Sequence, residues 1–333
     1  MLLARVSSKK KLFVALSSLA LSHWASALPQ YTAIDLGTLG GNESGAYAVN
    51  NAGQITGFAA VAPDSIPHAI LYSGATLHDL GALDGGVSAG FGISASGVAA
   101  GFARTLPDAN YRDRAAIFSN GTIQNLGTLV GLASVDGQES QAYGINDSGQ
   151  VTGQSYTVAG AQRAFLYSNG VMHDLGTLAD IENLLPSVFP GSVQSYGRGI
   201  SNLGQVVGSS TTNDGAQHAF LYSNGARHDL GVLPGFISGG SSGAHAINNL
   251  GQITGASDVV DGTTHAFLYS DGIMSDIGTL GGRDSNGFGI NNRGVVVGVS
   301  STAGNPGEQD QRAFIYQEGK MVDLNSLIPD KSG

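Results

Sequence analysis

Three short phrases recur along the chain in a fixed order, and this recurrence limits the fold more than any other feature. The first phrase appears as AVNNAGQITG (48–57), GISASGVAAG (92–101), GINDSGQVTG (144–153), GISNLGQVVG (199–208), AINNLGQITG (246–255) and GINNRGVVVG (289–298). The second appears as HAILYS (68–73), RAAIFS (114–119), RAFLYS (163–168), HAFLYS (218–223), HAFLYS (265–270) and RAFIYQ (312–317). The third appears seven times: IDLG (34–37), HDLG (78–81), QNLG (124–127), HDLG (173–176), HDLG (228–231), SDIG (275–278) and VDLN (322–325). The turn glycines of the first phrase, Gly53, Gly97, Gly149, Gly204, Gly251 and Gly294, stand 44, 52, 55, 47 and 43 residues apart. A self-repeat of this period means units that cannot bury an apolar face alone and must stack on their neighbours.

Each unit reads as four short strands, named here A (AxGIN), B (GQVVG), C (AFLYS) and D (DLG). The runs are short, β-branched or aromatic, and alternate in polarity. A and B are joined through Asn-x-Gly or a similar turn, and C and D through NG, DG or EG, the signature of tight hairpins. Sustained helical periodicity is absent; LADIENLLPS (178–187) could form a turn or two of helix within a loop. The expected fold class is therefore all-β, a β-propeller of four-stranded antiparallel blades with six complete repeats of about 48 residues. Small residues of A and B suit the crowded strands near the axis, and Phe, Leu and Tyr of C suit the space between blades.

The seventh D phrase, YTAIDLG (31–37), has no A, B and C of its own. A ring closes best when an N-terminal strand completes the last blade and removes an exposed edge. Two readings follow, a six-bladed ring with one surplus strand or a seven-bladed ring truncated at the C-terminus. The chain halts at Gly333, where another A strand would begin, and this favours truncation.

Residues 1–27 read as a secretory signal peptide cleaved after Ala27. Arg5, Lys9, Lys10 and Lys11 form a basic region, Leu12–Leu21 a short apolar core, and Ala25-Ser26-Ala27 a small-residue cleavage site. The remaining 28–333 is expected to be a single propeller domain, secreted or periplasmic and monomeric. Removing the four leader cations from the 15 Lys and Arg leaves 11 against 25 Asp and Glu, a net charge of −14. That balance excludes a basic footprint for nucleic acid, and no apolar run is long enough for membrane insertion. The chain has no cysteine, so stability must come from burial and hydrogen bonding rather than disulfides. Its 51 glycines stand at fixed offsets within the repeat, which separates it from a flexible low-complexity chain.

The phrases HAFLYSNG, HDLGTL and GINNxGQVVG together resemble the HAF family of probable extracellular repeats, over residues 31 to 328. That resemblance implies export from a bacterium and brings neither an established enzymatic activity nor catalytic residues. RAAIFS and QNLG depart from the pattern, so their unit is expected to pack less regularly.

The repeated polar residues invite a chemical reading, and most of it fails on the repeat itself. His68, His218 and His265 open the second phrase, but Arg114, Arg163 and Arg312 fill the same slot, and arginine does not ligate metals. His78, His173 and His228 share a slot with Ile34, Gln124, Ser275 and Val322. The aspartates of DLG, replaced by Asn125 in one unit, suit a short acceptor for neighbouring backbone N–H groups. Two G-x-S-x-G matches, centred on Ser88 and Ser241, sit in Gly/Ser-rich loops rather than at a strand-to-helix elbow. No catalytic residue, metal site or cofactor is expected.

Antiparallel strands place the tight A–B and C–D turns on one face and the B–C and D–A loops on the other. The latter vary in length: 102–113, 128–141, 177–197 and 299–311. Variable loops on a rigid scaffold are where binding is usually placed. The candidate patch is Asp108, Tyr111, Arg112, Asp136, Glu139, Asp180, Glu182, Tyr196 and Arg198. The favoured function is an exported, non-catalytic binding module for a carbohydrate, peptide or surface partner. Alternatives are a polysaccharide hydrolase or lyase using Asp136 with Glu139 or Asp180 with Glu182, or a purely structural cell-surface repeat.

Overall fold

The computed structural model describes residues 13–15, 30–105, 112–131, 138–179, 193–235, 239–304 and 310–329. Each set of phrases folds into one four-stranded antiparallel sheet, with strands in the order A-B-C-D. Blade 1 comprises Gly40–Val49, Ile55–Val61, Ile66–Ser73 and Thr76–Gly81, and blade 2 Ser88–Ile93, Ala99–Thr105, Arg112–Ser119 and Thr122–Asn125. Blade 3 comprises Ser140–Ile145, Val151–Tyr156, Gln162–Ser168 and Val171–Asp174, and blade 4 Ser195–Ile200, Val206–Thr211, Gln217–Ser223 and Ala226–Gly231. Blade 5 is Ser242–Ile247, Ile253–Asp258, Thr264–Ser270 and Ile273–Asp276, and blade 6 is Gly281–Ile290, Val296–Thr302, Gln311–Gln317 and Lys320–Asp323. Among the described residues helical structure is limited to the 3-10 turns Leu83–Gly85 and Leu324–Leu327. The expected propeller of four-stranded blades is the observed architecture.

Local sequence explains each hairpin. At the C–D turn of blade 3, Asn169 and Gly170 both take positive φ, 52° and 80°, the two-residue geometry whose twist matches the flanking strands. At the A–B turn, Asn146 Oδ1 accepts from Ser148 N at 3.1 Å and from Gln150 N at 2.9 Å, so the side chain replaces a missing backbone partner.

Burial lies between blades rather than within them. Strand C presents Phe165, Phe220, Phe267 and Phe314 at 0–2% exposure, each against the preceding blade or within the cluster joining two blades. Burying one such ring is worth about 1.5–3 kcal/mol. Blade 2, where RAAIFS departs from the pattern, packs as the others do. Ala116 holds the phenylalanine slot, and Phe118, two residues on and therefore on the same strand face, is 1% exposed in the cluster joining blades 1 and 2.

A serine hydroxyl clasps successive blades together. Ser88, which opens strand A of blade 2, accepts from Ala69 N at 2.8 Å and donates to Gly81 O at 2.5 Å, both on blade 1. Ser140, Ser195, Ser242 and Ser285 repeat the arrangement with Ala115, Ala164, Ala219 and Ala266 and with Gly127, Gly176, Gly231 and Gly278. On the opposite face the A–B turns are linked from blade to blade, as in Asn50 Nδ2 to Ser94 O at 2.9 Å and Asn248 Nδ2 to Asn291 O at 2.8 Å.

Residues ahead of blade 1 lie beside both ends of the array. Tyr31 joins the buried cluster of blade 6, with Tyr31 N donating to Leu327 O at 2.9 Å, while Leu36 packs on blade 1. Thr32–Ile34 forms a strand paired antiparallel with Phe13–Ala15. The rest of the expected leader, 1–12 and 16–27, lies outside the described residues. No described helix is long and apolar enough to cross a membrane.

Candidate functional site

Every strand A carries a β-bulge at the same place. Register with strand B shifts between Ala46 and Ala48, Gly90 and Gly92, Ala142 and Gly144, Gly197 and Gly199, Ala244 and Ala246, and Gly287 and Gly289. The residue between each pair has no partner across the ladder, and a bulge re-aims its side chain. These residues are Tyr47, Phe91, Tyr143, Arg198, His245 and Phe288. Because the A strands of successive blades are neighbours, the bulged side chains meet one another along the propeller axis.

Their contacts form two runs, one from blade 1 to blade 4 and one from blade 5 to blade 6. Tyr47 meets Phe91 edge-on at 5.0 Å between centroids, and Phe91 stacks on Tyr143 at 5.5 Å. The Arg198 guanidinium lies 4.5 Å over the Tyr143 ring and 5.8 Å from that of Tyr196, and His245 meets Phe288 at 5.4 Å. Strand B backs the first blades with Phe58, 5.9 Å from Tyr47, and Phe102, 5.7 Å from Phe91. One arc of the axis is thus aromatic, from blades 1 to 3, and the other presents a cation and an imidazole, from blades 4 and 5.

A polar chain rises from Tyr143 toward the face of the B–C and D–A loops. Tyr143 OH donates to Gln141 Oε1 at 2.8 Å, and Gln141 Nε2 donates to Asp113 Oδ2 at 2.9 Å. Arg104 Nε donates to Asp113 Oδ1 at 2.9 Å, and Tyr196 OH donates to Gln194 Oε1. Burial pushes the Glu139 carboxyl above its ordinary range, reinforced by the negative charge of Asp113. Burial also raises the Tyr143 and Tyr196 hydroxyls and lowers Arg114, whose Nη1 donates to Gln138 O at 2.7 Å. His245 is lowered by burial, and its Nδ1 lies 3.0 Å from Gly287 O. A carbonyl only accepts, so the proton sits on Nδ1 and Nε2 carries the lone pair.

Of the residues singled out from sequence, Glu139, Tyr196 and Arg198 come together around this chain. Arg112 opens strand C of blade 2, next to Asp113. Asp108, Tyr111, Asp136, Asp180 and Glu182 lie outside the described residues, as does most of LADIENLLPS. The axial residues Tyr47, Phe91, Tyr143, His245 and Phe288 were not legible as a set from loop variability. Their signal lies in the repeat: one bulky, changing slot inside an otherwise small-residue phrase.

The repeated polar residues serve the blades. His68, His218 and His265 face Asp79, Asp229 and Asp276 of the adjoining strand D through Nδ1 at 2.8–3.0 Å, and Arg312 Nη1 meets Asp323 at 3.2 Å in the same place. The aspartates also accept from the backbone two residues on, as in Asp229 Oδ1 with Gly231 N at 2.7 Å, and Asn125 does the same with Gly127 N at 2.8 Å. Ser88 spends its hydroxyl on the blade clasp at 0% exposure, which leaves no nucleophile there. Among the described residues no group of three His, Asp or Glu is arranged to hold a metal ion.

Comparison with known proteins supports the fold. Residues 86–231 match the model of a family described as a protein of unknown function, DUF3466. No curated protein matches the chain. Among solved structures, the β-propeller domain of the Trilobed protease from Pyrococcus furiosus, described as having an open velcro topology, superposes with a TM-score of 0.55 at 10% identity, over 91% of this chain and 87% of that one. A prolyl endopeptidase gives 0.57 at 11% identity over 97% of this chain and 49% of that one. A puromycin-hydrolysing peptidase from Mycobacterium tuberculosis gives 0.54 at 10% identity, over 97% of this chain and 51% of that one. The chain thus spans about half the length of these peptidases, and at such identity the likeness is to the propeller fold alone.

Proposed function

We propose that this protein is an exported, non-catalytic binding module whose ligand enters the propeller axis from the face of the B–C and D–A loops. The bulged series carries this reading: six equivalent positions, free of any ladder partner, present Tyr, Phe, Tyr, Arg, His and Phe side by side. Aromatic faces beside a guanidinium suit a ligand with one apolar and one polar side, such as a sugar or a peptide. Each aromatic or cation–π contact is worth about 0.5–2 kcal/mol, so several must act together. Binding to glycan and peptide arrays tests this, with Tyr143→Ala and Arg198→Ala expected to lower affinity at least about tenfold, the equivalent of one or two such contacts. Ligands bound equally by both variants and by the parent would refute it. The leader composition supports a destination outside the cytoplasm, read by N-terminal sequencing of the exported protein.

A second reading is favoured by one observation. The Glu139 carboxyl is held above its ordinary range beside Asp113, which Arg104 and Gln141 bind, and an unlike pair of carboxyl groups suits acid–base cleavage of a polysaccharide. New reducing ends that disappear in Glu139→Gln would establish this reading.

A further inference from the structure

Five blade-to-blade joints are closed by the same contacts, and the place between blade 6 and blade 1 lacks them. The alanines whose N–H meets a clasping serine, Ala69, Ala115, Ala164, Ala219 and Ala266, are all 0% exposed. Their counterpart Ala313 and Ser44, the counterpart of the clasping serines, are half-buried, and among the described residues Ala313 N meets no hydroxyl and Ser44 clasps no neighbouring blade. Asn Nδ2 joins the A–B turns of blades 1 and 2, 3 and 4, and 5 and 6, and among the described residues Asn291 Nδ2 reaches no carbonyl of a further blade. The axial series likewise ends at Tyr47 and Phe288, its most exposed members at 38% and 46%.

The same place holds a lone strand D. Asp35 Oδ1 accepts from Gly37 N at 2.9 Å as the other DLG aspartates do, and Leu36 packs on Ala46 and Ile55 of blade 1. Its outer edge is taken by Phe13–Ala15 of the expected leader, with Phe13 opposite Ile34 as Leu268 stands opposite Ser275 in blade 5. Cleavage after Ala27 would leave that position, the place of a strand C, open.

We propose that this wedge is a strand-addition site for a polypeptide stretch bearing the A, B and C phrases of the same repeat. Its C strand would take the place of Phe13–Ala15 against Thr32–Ile34 and give its alanine N–H to Ser44. Its opening serine would take Ala313 N, and its bulged residue would stand between Phe288 and Tyr47, closing the axial series. The occupant is chosen by the joint itself, since the unmet serine clasp is the one that this repeat makes at five other joints.

The test titrates the full chain with a synthetic polypeptide copying Ser242–Ser270, the A, B and C strands of blade 5. A one-to-one complex in native mass spectrometry is expected, with a thermal midpoint that rises with added polypeptide. Ser44→Ala should weaken the complex roughly five- to tenfold, the loss of a buried hydrogen bond. A scrambled polypeptide should not bind. Because a free polypeptide of this length can fail to pair, a second arm appends the same stretch after Gly333. There Ser44→Ala, neutral in the unextended chain, should lower the midpoint. Absence of the complex together with equal midpoints for extended and unextended chains would overturn the proposal, as would dimers of the chain that the polypeptide does not displace. Neither readout depends on a ligand for the axis, so failure here is separable from failure of the binding reading.

Discussion

Replacing Ser285 by alanine deletes one of the five blade clasps and should destabilise the fold measurably. Its hydroxyl accepts from Ala266 N at 2.8 Å and donates to Gly278 O at 2.6 Å, and the residue is 4% exposed at the joint of blades 5 and 6. Alanine leaves a buried N–H and a buried carbonyl on the neighbouring blade without that partner. Each unmet group costs about 1–3 kcal/mol, so the pair should destabilise by about 2–6 kcal/mol. At about 2–4 °C per kcal/mol for a domain of this order of size, the midpoint should fall by roughly 4–24 °C. Urea unfolding followed by circular dichroism should show a lower midpoint concentration with an unchanged slope, the sign of lost stability rather than a changed end state. Ser44→Ala, at the open place, should stay within about 0.5 kcal/mol of the parent, as ordinary surface substitutions do. Equal losses from the two variants, or no loss from Ser285→Ala, would refute the idea that one hydroxyl clasps each joint.

Three further outcomes follow from named contacts. Phe118→Ala should destabilise by about 3–5 kcal/mol in thermal or urea unfolding, as much as Phe267→Ala, because Phe118 fills the joint that Ala116 leaves short. Asp229→Asn keeps an acceptor for Gly231 N, as Asn125 does for Gly127 N, and should cost under about 0.5 kcal/mol, whereas Asp229→Ala should cost about 1–2 kcal/mol by the same assay. His245 is held below its ordinary value near 6.5 by burial, so its contribution to stability is complete above that pH and is lost as pH falls through the lowered value. His245→Phe should therefore flatten the fall of stability below about pH 6.5, and an unchanged slope would show that His245 is not desolvated.

The fold was legible because the repeat wrote it six times. Phrase order gave the strand order of each sheet, NG and DG gave the hairpins, and arginine in the histidine slot separated packing from metal chemistry. Arg312 and His265 prove to do the same work against Asp323 and Asp276. Blade 2 was expected to be less regular, but the expectation weighed one slot at a time. Phe118 reaches the same strand face as the missing phenylalanine, and only alternation along the strand reveals that equivalence. The site was only half legible. Loop variability pointed to Glu139, Tyr196 and Arg198, yet the axial aromatics stand within the repeat itself, where a strand read as regular gives no hint that a bulge turns one side chain out of the sheet.

The bulge also explains why that slot is the one free to vary. Within SYGRGIS of blade 4, Ser195 is fixed by its clasp to Ala164 N and Gly176 O. Gly197 has no room for a side chain, since an added Cβ would stand 2.3 Å from Thr152 Oγ1 of blade 3. Ile200 is packed against the buried cluster that holds Leu175 and Phe220, and Ser201 O receives Asn146 Nδ2. Arg198 alone answers to no ladder partner and no clasp, and its equivalents are accordingly Tyr, Phe, Tyr, His and Phe while their neighbours stay small or apolar. The position has no ladder partner in any blade, and its side chains meet chiefly one another along the axis. Aromatic side chains at four of six such positions, with a guanidinium and an imidazole at the other two, are costly to leave beside water and fit a surface kept for a ligand.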